Sequence, residues 1–157
     1  MRHALTAGVC LGFLALAPTA HATGGKGLTW ARISHASGID EVGCDGCNPY
    51  DGDTACTERR PILCIKYDTS PRPANLSHLY YAGWAGGNIA TTLPVAGTLL
   101  ESLPRATQLC IQFFGPGWRM ATFHDGAGWG FNAYGAVRSD TRFWVYINDQ
   151  QANCWNP

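Results

Sequence analysis

The sequence predicts an α+β fold: one small exported domain of short, mainly antiparallel strands with a single clear helix at about 102–114, loop-rich and stapled by disulfides. Three observations predict it. A leader pattern opens the chain, and an even set of cysteines follows it. Nineteen Gly and nine Pro leave room only for short elements. One stretch alone carries a helical apolar stripe between a helix start signal and a stop signal.

The leader comes first. Arg2 and His3 precede an apolar run from Ala4 to Ala17, and Ala20-His21-Ala22 is a small-x-small cleavage site. The run is too short to span a bilayer. Val9 stands before Cys10, where lipid attachment needs a small residue. Residues 1–22 are therefore expected to be a cleaved signal peptide, and 23–157 a single secreted domain with no membrane span. Removing Cys10 from the seven Cys leaves six: Cys44, Cys47, Cys56, Cys64, Cys110 and Cys154. An even count in an exported chain reads as a disulfide framework and places the protein outside the cell or in the periplasm. Eleven Lys+Arg balance eleven Asp+Glu, and loss of Arg2 leaves ten against eleven. Without a basic surplus, nucleic acid is excluded as a partner. No polybasic or amphipathic helix points to a membrane surface. No internal repeat is visible, and nothing sets the oligomeric state.

Leu28 to Ala36 alternates loosely and predicts a first strand, with Trp30, Arg32 and Ser34 on one side and Thr29, Ala31 and Ile33 on the other. Residues 43–64 form the Cys-rich segment, GCDGCNPYDGDTACTERRPILC, expected to be loop as far as Pro61. It admits several chemistries. Cys44 and Cys47 have zinc-ligand spacing. The same pair could be a redox C-x-x-C, although Gly46 and Asn48-Pro49 do not supply a strand-to-helix setting. Asp45, Asn48, Asp51 and Asp53 are clustered oxygen ligands and make calcium the one candidate cofactor, although their spacing matches no EF-hand and the closing bidentate Glu is missing. The plain alternative is a disulfide-stapled loop whose Asp side chains shape turns.

Ile62 to Tyr67 predicts a strand containing Cys64. Asn75-Leu76-Ser77 fits the N-glycosylation pattern. Tyr80 to Gly87, YYAGWAGG, reads as an aromatic and glycine loop, and Asn88 to Leu93 as the next strand. From Ser102 to Phe114 the chain predicts a helix. Ser102 is its N-cap, Pro104 lies in the first turn, and Gly115-Pro116 ends it. Leu103, Ala106, Leu109, Cys110 and Phe113 form its apolar stripe, which turns Cys110 inward. Six cysteines leave the connectivity open, and Cys110 to Cys154 is the pairing expected to tie the helix to the chain's end. Trp118 to Phe123, Trp129 to Val137 and Arg142 to Asn148 follow as strands. The last has apolar residues on both faces, as in a strand covered on both sides.

The last third holds four of the six Trp and the His124-Asp125 pair. Neighbours on a strand face opposite ways, so His124 and Asp125 do not orient one another, and no G-x-S-x-G supplies a nucleophile. A turn histidine is the plain reading of His124. Acid–base partners available to it are Asp125, Asp140, Asp149 and Glu101. Most aromatic rings are expected in the core. Trp84, Trp129 and Tyr134 lie in or beside Gly-rich segments, where rings can be exposed to stack on a ligand.

Two resemblances rest on these residues. The helix with inward Cys110, then GWRMAT at 117–122, then FWVYIND at 143–149 resembles the first half of a C-type lectin-like domain. Glu-Pro-Asn, Gln-Pro-Asp and Trp-Asn-Asp motifs are absent, so the resemblance implies an element order and not calcium-dependent sugar binding. The mature chain is also similar to a group of small exported, disulfide-bonded bacterial proteins of uncharacterised function, through PYDGDT at 49–54, FHDG at 123–126 and INDQ at 147–150. That likeness implies export and disulfides.

The expectation from these features is a secreted binding or surface-interaction module recognising a glycan or an envelope component through Trp84, His124, Asp125, Trp129 and Tyr134, with the question of enzymatic activity left open. Two alternatives stand beside it: a small secreted hydrolase using His124 with a carboxylate such as Asp125, and a structural envelope accessory protein with no small ligand.

Overall fold

The computed structural model describes residues 24–77, 80–126 and 128–157. The predicted signal peptide and Cys10 lie outside them. In chain order the elements are β1 (Lys26–Gly27), β2 (Thr29–Ala36), β3 (Ile39–Gly43), β4 (Thr54–Ala55), β5 (Arg59–Arg60), β6 (Leu63–Tyr67), β7 (Ala82–Thr91), β8 (Val95–Ala96), α1 (Leu103–Phe114), β9 (Arg119–Met120), β10 (Gly130–Tyr134) and β11 (Phe143–Trp144). This is the predicted α+β class: among the described residues there are one α-helix, short strands and three disulfides. Among the described residues no helix is long and apolar enough to cross a membrane.

Seven strands form the main sheet in the order β11-β2-β3-β10-β7-β6-β9. Among its strand-to-strand pairs only β10 and β7 run parallel. The hairpin joining β2 to β3 turns on Ser37 and Gly38, both at positive φ (53° and 76°), the geometry that matches strand twist in a two-residue loop. The segment after β11 then joins the two ends of the sheet. Phe143 and Trp144 pair with β2, while Ile62 bridges Trp144 and Thr122 bridges Tyr146. Phe123 N–H donates to the Tyr146 carbonyl at 2.8 Å, and Tyr146 N–H to the Ala121 carbonyl at 3.1 Å. The sheet therefore curls back on itself, which hides both of its long edges. Its interior is filled by Leu28, Trp30, Phe131, Phe143 and their neighbours. A second apolar cluster, with Leu100, Ala106, Met120 and Trp144, lies under α1.

The helix has the predicted ends: Ser102 accepts from Arg105 N–H, and Gly115 sits at φ 92° after the last turn. Its inward stripe differs at one position. Phe113 is exposed, and Phe114 packs inward instead, 5.0 Å from the Trp118 ring. The expected Cys110–Cys154 bridge does not form. Cys110 bonds Cys64 of β6, the strand over which α1 lies through β9, and Cys154 bonds Cys56. Cys44 and Cys47 bond each other and hold no zinc.

Of the stretch read as an aromatic and glycine loop, Tyr80 and Tyr81 form a turn, and Ala82 to Gly87 are the first part of β7. Its backbone bonds β6 on one side and β10 on the other. Gly86, at φ 69°, and Gly87 sit where the register with β10 shifts. A bulge takes up the extra residues, so glycines that resemble a loop are strand glycines. The strands expected at 118–123, 129–137 and 142–148 are present but shorter, and 143–147 is hydrogen-bonded on both flanks as its two-sided apolar pattern requires. In β2 burial falls from Thr29 to Ala36 instead of alternating, because the strand runs out beyond the core. Asn75 is exposed in a turn closed by Leu76 N–H on the Pro73 carbonyl.

Candidate functional site: a polar cleft between three loops

Three segments distant in sequence meet at one end of the curled sheet. Pro49 and Tyr50, Phe123 and His124, and Ile147, Asp149 and Gln150 line a hollow of about 160 Å³ closed on one side by Trp129. It shares Tyr50, Asp149 and Gln150 with a wider polar hollow of about 550 Å³, which adds Asp51, Asn148, Gln151 and Asn156. The two form one cleft. The segments that supported the resemblance to small exported proteins, at 49–54, 123–126 and 147–150, are the ones that build it.

Each loop is fixed from below. In the first, Asn48 Oδ1 accepts from Tyr50 N–H at 3.0 Å and Asp51 N–H at 3.1 Å, and Gly52 N–H closes the turn on the Asn48 carbonyl at 3.0 Å. This side chain–backbone turn leaves Tyr50 and Asp51 pointing outward. Gly52 sits at φ 75°, and a Cβ there would lie 2.6 Å from the Lys26 backbone. Asp53 faces inward and accepts from Thr29 N–H at 3.2 Å and Asn48 N–H at 3.3 Å.

In the second loop Asp125 is the anchor. Its carboxylate takes both outer nitrogens of Arg119 and the Thr122 N–H at 2.8 Å, and it is nearly buried. Burial pulls the Arg119 guanidinium down, but the hydrogen bond and charge of Asp125 outweigh it and hold Arg119 above its ordinary value. With Asp125 spent inward, the turn presents His124 outward. Its Nε2 lies 3.3 Å from Asp149 Oδ1 across the cleft. The Phe123 ring is wedged against Trp30, with centroids 5.6 Å apart, and carries Trp129 on its other side at 5.4 Å. Trp129 is thus a supported ring that is still 42% exposed.

The third loop hangs from Asn153. Its amide accepts from Ile147 N–H at 3.0 Å and donates to the Ile147 carbonyl at 2.8 Å, satisfying a buried backbone pair as a neighbouring strand would. The Cys56–Cys154 bridge pins the next residue.

Of the residues singled out from the sequence, His124 and Trp129 stand in the cleft. Asp125 stands behind it and anchors the turn that carries His124. Trp84 and Tyr134 lie elsewhere, edge to face at 5.0 Å, with the Trp84 indole N–H donating to the Ser70 carbonyl at 2.7 Å. Asp140 is paired with Arg138, with Nε to Oδ1 at 2.8 Å, and lies outside the lining, as does exposed Glu101. The four candidate calcium ligands do not converge. Asp53 faces inward, Asn48 is used by its own turn, Asp51 opens on the cleft, and Asp45 lines a different hollow. Among the described residues no group of three His, Cys, Asp or Glu could hold a metal. Tyr50, Gln150 and Asn153 were not singled out from the sequence, although Tyr50 and Gln150 lie inside the segments that carried the resemblance. Compared with known family models, curated proteins and solved structures, the chain matches none.

Proposed function

We propose that this chain is a secreted or periplasmic binding module that holds a glycan, free or in the cell envelope, in the cleft between the loops at 49–51, 123–124 and 147–151, beside Trp129. Three disulfides support the export half of this reading, since such bonds form and persist mainly in oxidising compartments. The observation that carries the binding half is the composition of the cleft. Exposed Tyr50 and Trp129 rings stand beside a row of amides and carboxylates: Asp51, Asn148, Asp149, Gln150 and Gln151. A sugar ring presents an apolar C–H face and a rim of hydroxyls. The face stacks on an aromatic side chain, and the hydroxyls pair with planar side chains that can donate and accept at once. Because the Trp129 ring rests on Phe123, little of its side-chain freedom is lost on binding.

The test is a calorimetric titration with soluble oligosaccharides released from envelope polymers. Saturable binding is expected, with Tyr50→Ala and Asp149→Ala each weakening it roughly tenfold or more. If the intact protein binds no glycan, the reading fails.

A second reading rests on the His124–Asp149 pair, which places an imidazole beside a carboxylate within the cleft. It is hydrolysis with His124 in acid–base service. Incubation with the same oligosaccharides decides it. Reducing-end release that disappears in His124→Ala while binding persists would establish hydrolysis, and binding without release leaves a pure binding module.

A further inference from the structure

Behind Trp129 lies a second hollow of different chemistry, of about 370 Å³, within the range of small-ligand sites. Gly43, Gly130 and Ala82 are partners across β3, β10 and β7, so its floor carries no side chain longer than a methyl. Its walls gather four of the large apolar side chains that the described residues leave exposed: Ile33 at 48%, Tyr80 at 78%, Tyr81 at 58% and Trp129 at 42%. Tyr80 and Tyr81 meet edge to face at 4.7 Å, which gives two aromatic walls at right angles. A contiguous exposed apolar group of this kind marks an interaction or ligand-binding surface.

The rim decides the ligand. Among the described residues its charged side chains are Glu41 and Asp45, and no Lys, Arg or His lines the hollow. Glu41 is held by the Ser34 hydroxyl at 3.2 Å. The Asp45 carboxylate makes no hydrogen bond or ion pair among the described residues. It is projected by a turn with Asp45 at φ 41° and Gly46 at 76°, closed by Cys47 N–H on the Cys44 carbonyl at 3.0 Å and by the Cys44–Cys47 disulfide. Arg142 reaches this turn from inside, donating to the carbonyls of Cys44 at 2.8 Å and Asp45 at 3.0 Å. The hollow lacks the amides that make the first cleft suit hydroxyls. Instead it offers π faces and negative charge.

We propose that this hollow binds a quaternary ammonium group, a small choline-type ligand, with Tyr80, Tyr81 and Trp129 as its aromatic walls and Glu41 and Asp45 as its counter-charges. Methylated ammonium is apolar enough to leave water, and its charge is attracted to ring faces and to carboxylates together. An unmethylated ammonium is more strongly hydrated and binds more weakly. A ligand with its own anion beside the cation, such as glycine betaine, is repelled by the rim.

The experiment titrates choline against its uncharged carbon isostere, 3,3-dimethylbutan-1-ol, by calorimetry and Trp fluorescence, on the intact chain with no glycan present. Choline is expected to bind saturably, with the isostere, glycine betaine and phosphocholine each roughly tenfold weaker or more. Tyr81→Ala, and the surface double variant Glu41→Gln/Asp45→Asn, should each lose a similar factor while keeping the wild-type circular dichroism. Equal affinity for choline and its isostere would reduce the hollow to an apolar pocket and overturn the proposal. Absence of choline binding, or full retention of it in both variants, would overturn it as well. The readout involves no sugar, so a failed glycan titration leaves this proposal standing, and a failed choline titration leaves the polar cleft untouched.

Discussion

Asp40 carries a carboxylate with no exposed surface. Burying a charge is unfavourable by several kcal/mol unless donors surround it, and here they do. Val137 N–H donates to Oδ2 at 2.6 Å, His35 Nδ1 lies 2.7 Å from Oδ1, and Arg32 Nη1 is 3.8 Å away while donating to the Val137 carbonyl at 2.8 Å. One side chain therefore ties the β2–β3 hairpin to the loop that follows β10. Asp40→Ala removes the acceptor and leaves a buried N–H unpaired beside a guanidinium without its counter-charge. Stability should fall by about 3 kcal/mol, read from a lower urea midpoint at unchanged slope. A fall of less than about 1 kcal/mol would mean that water replaces the carboxylate. Asp125 and Asp53 follow the same logic at the cleft. Both are spent on backbone and Arg partners, and so the side chains beside them can be spent on a ligand.

Among the elements, β7 depends most on glycine. At Gly87 a Cβ would sit 2.2 Å from the Lys66 carbonyl oxygen, a backbone atom in the neighbouring strand that cannot move without breaking the ladder. Gly87→Ala should destabilise the fold by about 2 kcal/mol or more and shift the melting temperature down by several degrees. An unchanged melting temperature would show that the bulge can slide. The same strand shows where sequence reading stops. The helix was legible because its signals are local: Ser102, Pro104 and Gly115 mark its ends, and the spacing of Ala106 and Cys110 gives its face. The glycines of β7 have meaning only against strands far away in the chain, so local pattern took them for a loop. The Ser37-Gly38 turn, flanked by residues that pair, carries a local signal of the same kind as the helix ends. The cleft lies between these cases. Its three segments stood out one by one, and His124 and Trp129 among them, but their meeting depends on the curl of the sheet. Phe113 and Phe114 are adjacent and alike, and it is Phe114 that turns inward, where it meets Trp118.

At the scale of the whole molecule, the disulfides divide the work unequally. Cys56–Cys154 closes 98 residues, Cys64–Cys110 closes 46, and Cys44–Cys47 closes 3. Loop-closure entropy then assigns them about 5, 4 and 1.5 kcal/mol. The first bridge does more than shorten the unfolded chain. It packs tightly enough that a Cβ at Gly27 or Gly97 would lie 2.7 or 2.5 Å from Cys154 Sγ, and it holds the segment whose Asn148, Asp149, Gln150 and Gln151 line the cleft. Cys56→Ser/Cys154→Ser should therefore lose about 5 kcal/mol of stability and also lose glycan binding at temperatures where the variant is still folded by near-ultraviolet circular dichroism. Cys44→Ser/Cys47→Ser should lose only about 1.5 kcal/mol, keep glycan binding, and weaken choline through the turn that projects Asp45. If the first variant, folded, binds glycan as tightly as the parent, then the Leu28 N–H bond to the Ala152 carbonyl at 2.7 Å and the Asn153 amide are enough to hold the loop. In that case the bridge serves stability alone. If instead it loses binding while the short-bridge variant keeps it, the long bridge is what sets the third wall of the cleft against the other two.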